Sequence, residues 1–281
     1  MIIVQLKGGL GNQMFQYAAG RALALRTGAP LLLDTGSYEP KQAGMYALNG
    51  LQVQAGIAAP ADLGAFEQGL AGKALNRLLP PSMRRVYREP HFHYDTAFTQ
   101  LRPPLYLKGY WQSWKYFREA EAQVREDFRF AGAFSPAITE KAALLESTES
   151  VAMHFRRGDY TQQVTVDYHG ICGPEYYANA VRQLPAGIQY YIFTNDPAWV
   201  RENLPAGISA EILSGTLSHT QYEDLYLMSR CRHQVIANSS YSWWAAWLNP
   251  YAGKKVIAPK QWFNQARHNT QDLFPPNWIT I

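Results

Sequence analysis

Two adjacent arginines, Arg156 and Arg157, follow an apolar run that reads as a buried strand, Ser150 to Phe155, and are themselves followed by Gly158 and Asp159. A guanidinium presents a rigid fork of donors that matches two phosphate oxygens at once, and it stays charged at any working pH. Side chains alternate along a strand, so the two arginines emerge on opposite sides unless the chain is already turning at Gly158. One can grip an anionic ligand while protein holds the other, and Asp159 can orient one of them. A structural Arg–Asp ion pair at a strand end is the alternative reading.

Two more strand ends carry polar signatures. Phe193-Thr-Asn-Asp196 places Asn195 and Asp196 where a carboxylate can accept paired donors from a base or from ribose, although Asn-Asp-Pro also serves as a turn and helix start. Asn238-Ser-Ser-Tyr-Ser242 stands before an apolar helix. Ser239, Ser240 or Ser242 can cap that helix, and its first-turn N–H groups and dipole offer a seat for phosphate; simple N-capping is the other reading. At the N-terminus, Gly8-Gly-Leu-Gly-Asn-Gln13 lies between a short strand and a helix. It fails as a dinucleotide fingerprint, because Met14 stands where the third glycine belongs. What remains is a tight loop in which Asn12 and Gln13 either point amides into a cleft or cap the structure.

The elements that must hold these motifs alternate. Strands are predicted at 2–6, 30–34, 105–114, 150–155, 189–194, 210–213, 234–237 and 255–258. Helices are predicted at 14–25, 115–128, 137–146, 174–183, 197–203, 220–230 and 242–248. A run of βα units implies a doubly wound parallel sheet, in which ligands collect at the carboxyl ends of the strands. The three polar signatures should therefore converge on one crevice. Trp243, Trp244 and Trp247 belong to the core. Between 36 and 94 the pattern is indistinct, with helical fragments such as 60–70. The basic and apolar stretch Leu75 to Arg88, interrupted by Pro80-Pro81, reads as a loop with a solvated face open to contact with an anionic membrane.

With 281 residues, 47% hydrophobic and 17% charged, the chain can bury a core as one large domain or two modest ones. A net charge of +4 without a long basic block argues against nucleic acid and fits a small anionic ligand. Cys172 and Cys231 define neither a disulfide framework nor a zinc site, and His91, His93 and Asp95 do not make a metal centre. No Walker loop, nucleophile elbow or Asp-x-Asp motif occurs. Without a cleavable signal or an apolar run of membrane-spanning length, a cytoplasmic location is expected.

His154-Phe-Arg-Arg-Gly-Asp-Tyr160, Phe193-Thr-Asn-Asp196, Ile236 to Leu248 and Gly8 to Tyr17, in that family's order and at compatible distances, resemble the α-1,2-fucosyltransferases of glycosyltransferase family 11. The resemblance implies a GT-B-like α/β fold with two Rossmann-like domains facing a cleft. Residues 1–135 would form the acceptor-side domain and 136–260 the GDP-sugar-binding domain, with a tail at 261–281 packing back on the first. It further implies inverting transfer of fucose from GDP-β-L-fucose to the 2-hydroxyl of a terminal β-galactoside on an oligosaccharide or glycolipid, with no cofactor or divalent metal. Carried onto this chain, Arg156 or Arg157 neutralises the departing phosphate and Asp159 supports them. His154 places the nucleotide, Asp196 reads guanine or ribose, and Asn238, Ser239 and Ser240 hold the diphosphate. Asn12 and Gln13 face fucose or acceptor. A peripheral position on the cytoplasmic membrane face is compatible with this reading. The rivals are a nucleotide-dependent oxidoreductase and a non-catalytic carbohydrate-binding protein using Trp111 and Trp114.

Overall fold

The computed structural model of the chain describes residues 1–38, 45–157, 170–264 and 268–281. It divides into two units: Met1–Ala131 with His268–Phe274, and Gly132–Arg267 with Pro275–Ile281. The expected boundary at 135/136 thus falls at 131/132, and the stretch expected as one tail is shared between the units.

The first unit is built on short apolar strands that run parallel. They are β1 (Ile2–Gln5), β2 (Leu31–Asp34), β3 (Gly56–Ile57), β4 (Val86–Arg88) and β5 (Leu105–Lys108), in spatial order β3-β2-β1-β5-β4. Helix α1 (Leu10–Thr27) crosses from β1 to β2, and its small residues let it approach the sheet closely. A Cβ on Gly20 would lie 2.3 Å from Val4 Cγ2. The helix stops at Gly28, whose left-handed φ of 66° suits a residue without a side chain. Helices α2 (Pro60–Gly64), α3 (Leu70–Leu78) and α4 (Glu121–Asp127) lie in the same unit.

The second unit resolves into α5 (Pro136–Ser147), β6 (Ser150–Phe155), α6 (Pro174–Val181), β7 (Gln189–Thr194), α7 (Pro197–Asn203), β8 (Ser209–Ile212), α8 (Gln221–Arg230), β9 (His233–Val235), α9 (Ser240–Leu248), β10 (Val256–Ala258) and β11 (Ile279–Thr280). All six strands are parallel, in the order β11-β10-β9-β6-β7-β8. Counted from β6, this is the Rossmann order 3-2-1-4-5-6, with its topological switch between β6 and β9. The central strands β6 and β7 are buried along nearly their whole length, as expected of a parallel sheet covered on both faces; Val151, Met153, Phe155, Ile192, Val235 and Ile257 share one buried cluster. Ser135 caps α5, and Thr220 with Glu223 forms a reciprocal capping box on α8.

Departures from the sequence reading have local causes. The stretch from Leu75 to Arg88 is no loop: it holds the end of α3, a single 3₁₀ turn at Pro81–Met83 and edge strand β4. The prolines end the helix, and pairing with β5 recruits the residues that follow. The helix expected over 115–128 is broken into two 3₁₀ turns before α4, since Ser113 caps a short turn at Trp114–Tyr116. The strand at 209–212 lies at the sheet edge beside β7. β11 went unread because two ladder residues carry no periodicity.

Candidate active site

The switch between β6 and β9 brings sequence positions about eighty residues apart into adjacency. Arg156 and Arg157 leave the end of β6, and the loop 236–239 leaves the end of β9 and enters α9. The two are in register, Met153 opposite Val235. His154 continues this contact: its ring meets Tyr241 on α9 edge to face, with centroids 5.9 Å apart.

The two arginines have different surroundings. The Arg157 guanidinium lies 3.9 Å from the centroid of the Trp199 ring, and its Nε is 3.6 Å from Asp196 Oδ2. Its backbone N–H donates to Asn195 Oδ1 at 3.1 Å. All three partners belong to α7 and the turn that joins it to β7, so the second signature clamps the first. Arg156 lies close enough to both His154 and Tyr241 for its charge to act on them. Burial, reinforced by the Arg156 charge, pushes the His154 imidazole down to about 3, so the ring is neutral at physiological pH. Its Nδ1 is buried without a hydrogen-bond partner among the described residues, while the His154 carbonyl accepts from Tyr177 Oη. Burial, ahead of a nearby Asp224 charge, holds the Tyr241 hydroxyl well above its ordinary range.

Asp196 caps α7, its Oδ1 accepting from Trp199 N at 3.2 Å, so both of its oxygens face protein partners. Asn238 is buried; its Nδ2 donates to the Gly170 and Trp262 carbonyls and its Oδ1 accepts from Cys172 Sγ. It ties three loops together beneath the start of α9. Ser239 occupies the N-cap position in extended conformation but makes no side-chain cap bond. Ser240 opens the helix. Asp159 lies outside the described residues. Trp243 and Trp244 are fully buried and pack against each other and, through Trp243, against Trp278. The residues that sequence reading overlooked are Trp199 and Tyr241: neither ends a strand, and only the third dimension brings them to the arginines.

The first unit has its own switch, between β1 and β5. Gly8, at φ 78°, turns the chain so that its carbonyl accepts from both Gln13 Nε2 and Tyr38 Oη. Gln13 is not offered to a ligand: it is 0% exposed, its Nε2 also donates to the Met45 carbonyl, and its Oε1 accepts from Ala47 N. The expected ligand role of Gln13 therefore gives way to a structural one. Asn12 is half-buried and accepts from Gln112 Nε2 at 2.7 Å, joining the β1 and β5 loops. Beside them, Glu89 accepts from the backbone N–H groups of Tyr110 and Trp111, and the Lys7 ammonium lies 4.0 Å from the Tyr110 ring centroid. Burial outweighs those bonds and pushes the Glu89 carboxyl up to about 7. Trp111 adopts φ 57°, an uncommon choice for a bulky residue. It is fully buried against Phe98 and Tyr116, which removes it as a sugar-stacking platform.

A model of the family described as Glycosyl transferase family 11 matches residues 76–281. The chain is 30% identical over 291 residues to an α-1,2-colitosyltransferase of Escherichia coli, spanning 100% of this chain and 99% of that one. It is 26% identical over 314 residues to the O-antigen biosynthesis glycosyltransferase WbnK of Escherichia coli, spanning 98% and 99%. Among solved structures it is similar to the α-1,6-fucosyltransferase NodZ of Bradyrhizobium soaked with GDP-fucose, with a TM-score of 0.51 at 14% identity over 89% of this chain and 92% of that one. Likeness at that identity speaks to the fold: α/β of the GT-B class, with two units each built on a parallel sheet.

Proposed function

The chain belongs to glycosyl transferase family 11, and from that premise we propose that it moves L-fucose from GDP-β-L-fucose to the 2-hydroxyl of a terminal β-galactoside. One observation carries the reading: a protein-clamped Arg157 stands beside Arg156 at the β6–β9 switch, next to the start of α9. In this reading Arg156 holds the β-phosphate as the bond from the sugar anomeric carbon to its oxygen breaks. The start of α9, with Ser239 and Ser240, stabilises the same charge from another side. Neutral His154 adds no further positive charge beside the two arginines. Asp196 acts on the ligand through Arg157, and Asn238 through the loop it braces.

The acceptor 2-hydroxyl attacks the anomeric carbon from the face opposite the departing GDP, which inverts the centre, and its proton passes to solvent. Departure ahead of attack leaves little need for a strong base, so Asp159 has a supporting part. Arginine and helix terminus together supply the counter-charge, so the reaction proceeds without a divalent cation. Asn12, with Gln112, belongs to the acceptor side.

A second reading has its own support in the full-length match to a colitosyltransferase. Colitose is fucose without its 3-hydroxyl. The decisive experiment offers GDP-fucose and GDP-colitose to the purified protein with β-galactosides, with and without EDTA, and determines the product linkage. Faster transfer of fucose in α-1,2 linkage, unchanged by EDTA, supports the reading. Preference for the deoxy sugar transfers the assignment to colitose, and loss of transfer with EDTA defeats the metal-free mechanism.

A further inference from the structure

Helix α3 is mounted with its polar side inward. At about 100° per residue, Leu70, Ala71, Ala74, Leu75 and Leu78 fall within an arc of roughly 140°, and Asn76 lies opposite its centre. Asn76 is the residue that faces the protein: its Nδ2 donates to the Val86 carbonyl at 2.7 Å and its Oδ1 accepts from the N–H groups of Arg85 and Val86. The apolar side is left to solvent, with Leu70 87%, Leu78 83% and Leu75 61% exposed, and Met83 beyond the helix is 61% exposed. An amphipathic surface helix ordinarily turns its apolar stripe to the core. Here edge strand β4 secures the opposite side.

Along the segment that carries this face, the charge has one sign. Between Gln68 and Arg88 there are five cations, Lys73, Arg77, Arg84, Arg85 and Arg88, and no carboxylate. Among the described residues none of them forms an ion pair. Arg84 donates to the carbonyls of Leu79 and Arg77, fixing the turn after the helix. On the other side of α3, where Asn76 faces the protein, opens a pocket of about 890 Å³, to which Lys73, Arg77, Arg84 and Arg88 contribute together with Lys108. Two carboxylates, Glu67 and Glu89, also line it, and the cations outnumber them. Burial lowers the Lys108 ammonium pKa, and the Arg88 and Lys73 charges lower it further, as expected for crowded cations.

We propose that α3 and the turn after it form a docking surface for an anionic phospholipid bilayer, with the leucines and Met83 entering the acyl boundary and the arginines and Lys73 meeting the headgroup phosphates. Charge selects this occupant over a second copy of the chain. A two-fold interface through this face would set five cations against the same five. An anionic bilayer supplies the complement, and a short helix lying in the interface plane is the geometry such contacts use. No described helix is long and apolar enough to cross a membrane.

Co-sedimentation of the full chain with vesicles of phosphatidylcholine alone, or mixed with phosphatidylglycerol, tests the proposal. Binding is expected on the mixed vesicles, weakening as salt rises. Lys73→Gln with Arg77→Gln should lower partitioning roughly twenty-fold, and Leu75→Gln with Leu78→Gln should lower it by about ten-fold or more. Both variants should still bind GDP, which reports an intact second unit, and should keep the parent circular dichroism spectrum. Equal binding to both vesicle types, or variants that sediment like the parent, would overturn the proposal. So would a dimer in analytical ultracentrifugation that Leu78→Gln dissolves. The readout involves no sugar transfer, so failure of the fucose reading leaves it standing, and the reverse also holds.

Discussion

Replacing Arg156 and Arg157 separately, first by alanine and then by lysine, tests the division of labour at the end of β6. Arg157 stacks at 3.9 Å on Trp199 and lies 3.6 Å from Asp196, with its side chain 21% exposed. The stacking contributes about 1 kcal/mol and a partly exposed ion pair at most about 1 kcal/mol, so Arg157→Ala should cost roughly 1–2 kcal/mol of stability. In a unit of this size that lowers Tm by roughly 2–6 °C. Arg156→Ala should leave Tm nearer the parent value and reduce kcat about 100- to 1,000-fold, the effect of deleting a donor aimed at developing charge. Lysine at 156 keeps the charge and loses the fork, so it should recover only part of the rate. The assay is GDP release with a β-galactoside acceptor, read beside scanning calorimetry of each variant. An Arg157→Ala protein with unchanged Tm and no transfer, beside an active Arg156→Ala protein, would show that the assignment is reversed.

Other consequences concern pH and backbone geometry. His154 takes up a proton only near pH 3, against an ordinary 6.5, so the unfolded chain protonates first and this group's contribution to stability is lost as pH falls from 6.5 towards 3. Glu89 has the opposite sign: held near 7 against an ordinary 4.5, it contributes stability below 4.5 that is lost as pH rises through 7. The slopes oppose each other between 4.5 and 6.5, so urea midpoints should rise with pH in Glu89→Gln and fall in His154→Phe; parallel profiles would refute both assignments. Gly8→Ala forces a left-handed side chain whose Cβ would lie 2.5 Å from Asn12 Nδ2. It should destabilise the first unit by about 1–2 kcal/mol while calorimetric GDP affinity stays within two-fold, since the residues proposed to hold the donor lie in the second unit.

The second unit was legible to within a residue or two at most elements because its βα alternation is regular and its caps are explicit, as at Ser135, Thr220 and Asp196. The core role of Trp243, Trp244 and Trp247 was readable for the same reason. In the first unit, the inverted helix at Leu70–Leu78 defeated pattern reading, because apolar periodicity says that a helix has a face and not which way the face points. Gln13 stays open between two roles in the sequence because a glutamine after a glycine loop looks the same whether its amide faces a ligand or three backbone groups. Asp196 reads in sequence as either a turn residue or a ligand contact; its oxygens meet Trp199 N and Arg157 Nε.

Strand order explains why these strand-end polar residues divide as they do. Chain order places β7 directly after β6, yet the switch lies on the other side of β6, towards β9. A residue ending β7 is therefore one strand removed from the crevice and meets the flank of whatever ends β6. That is where Asn195 and Asp196 are found, on Arg157. Residues that leave β9 border the crevice itself, and Tyr241 at the start of α9 meets His154 there. The same rule applies in the first unit, where Asn12 after β1 and Gln112 after β5 flank the switch and bond to each other. Gln13, one position further into α1, is rotated by about 100° and lies against the loop backbone. Neighbouring positions in sequence thus acquire different partners from a single topological fact, and the arginine nearer the switch is the one assigned to phosphate.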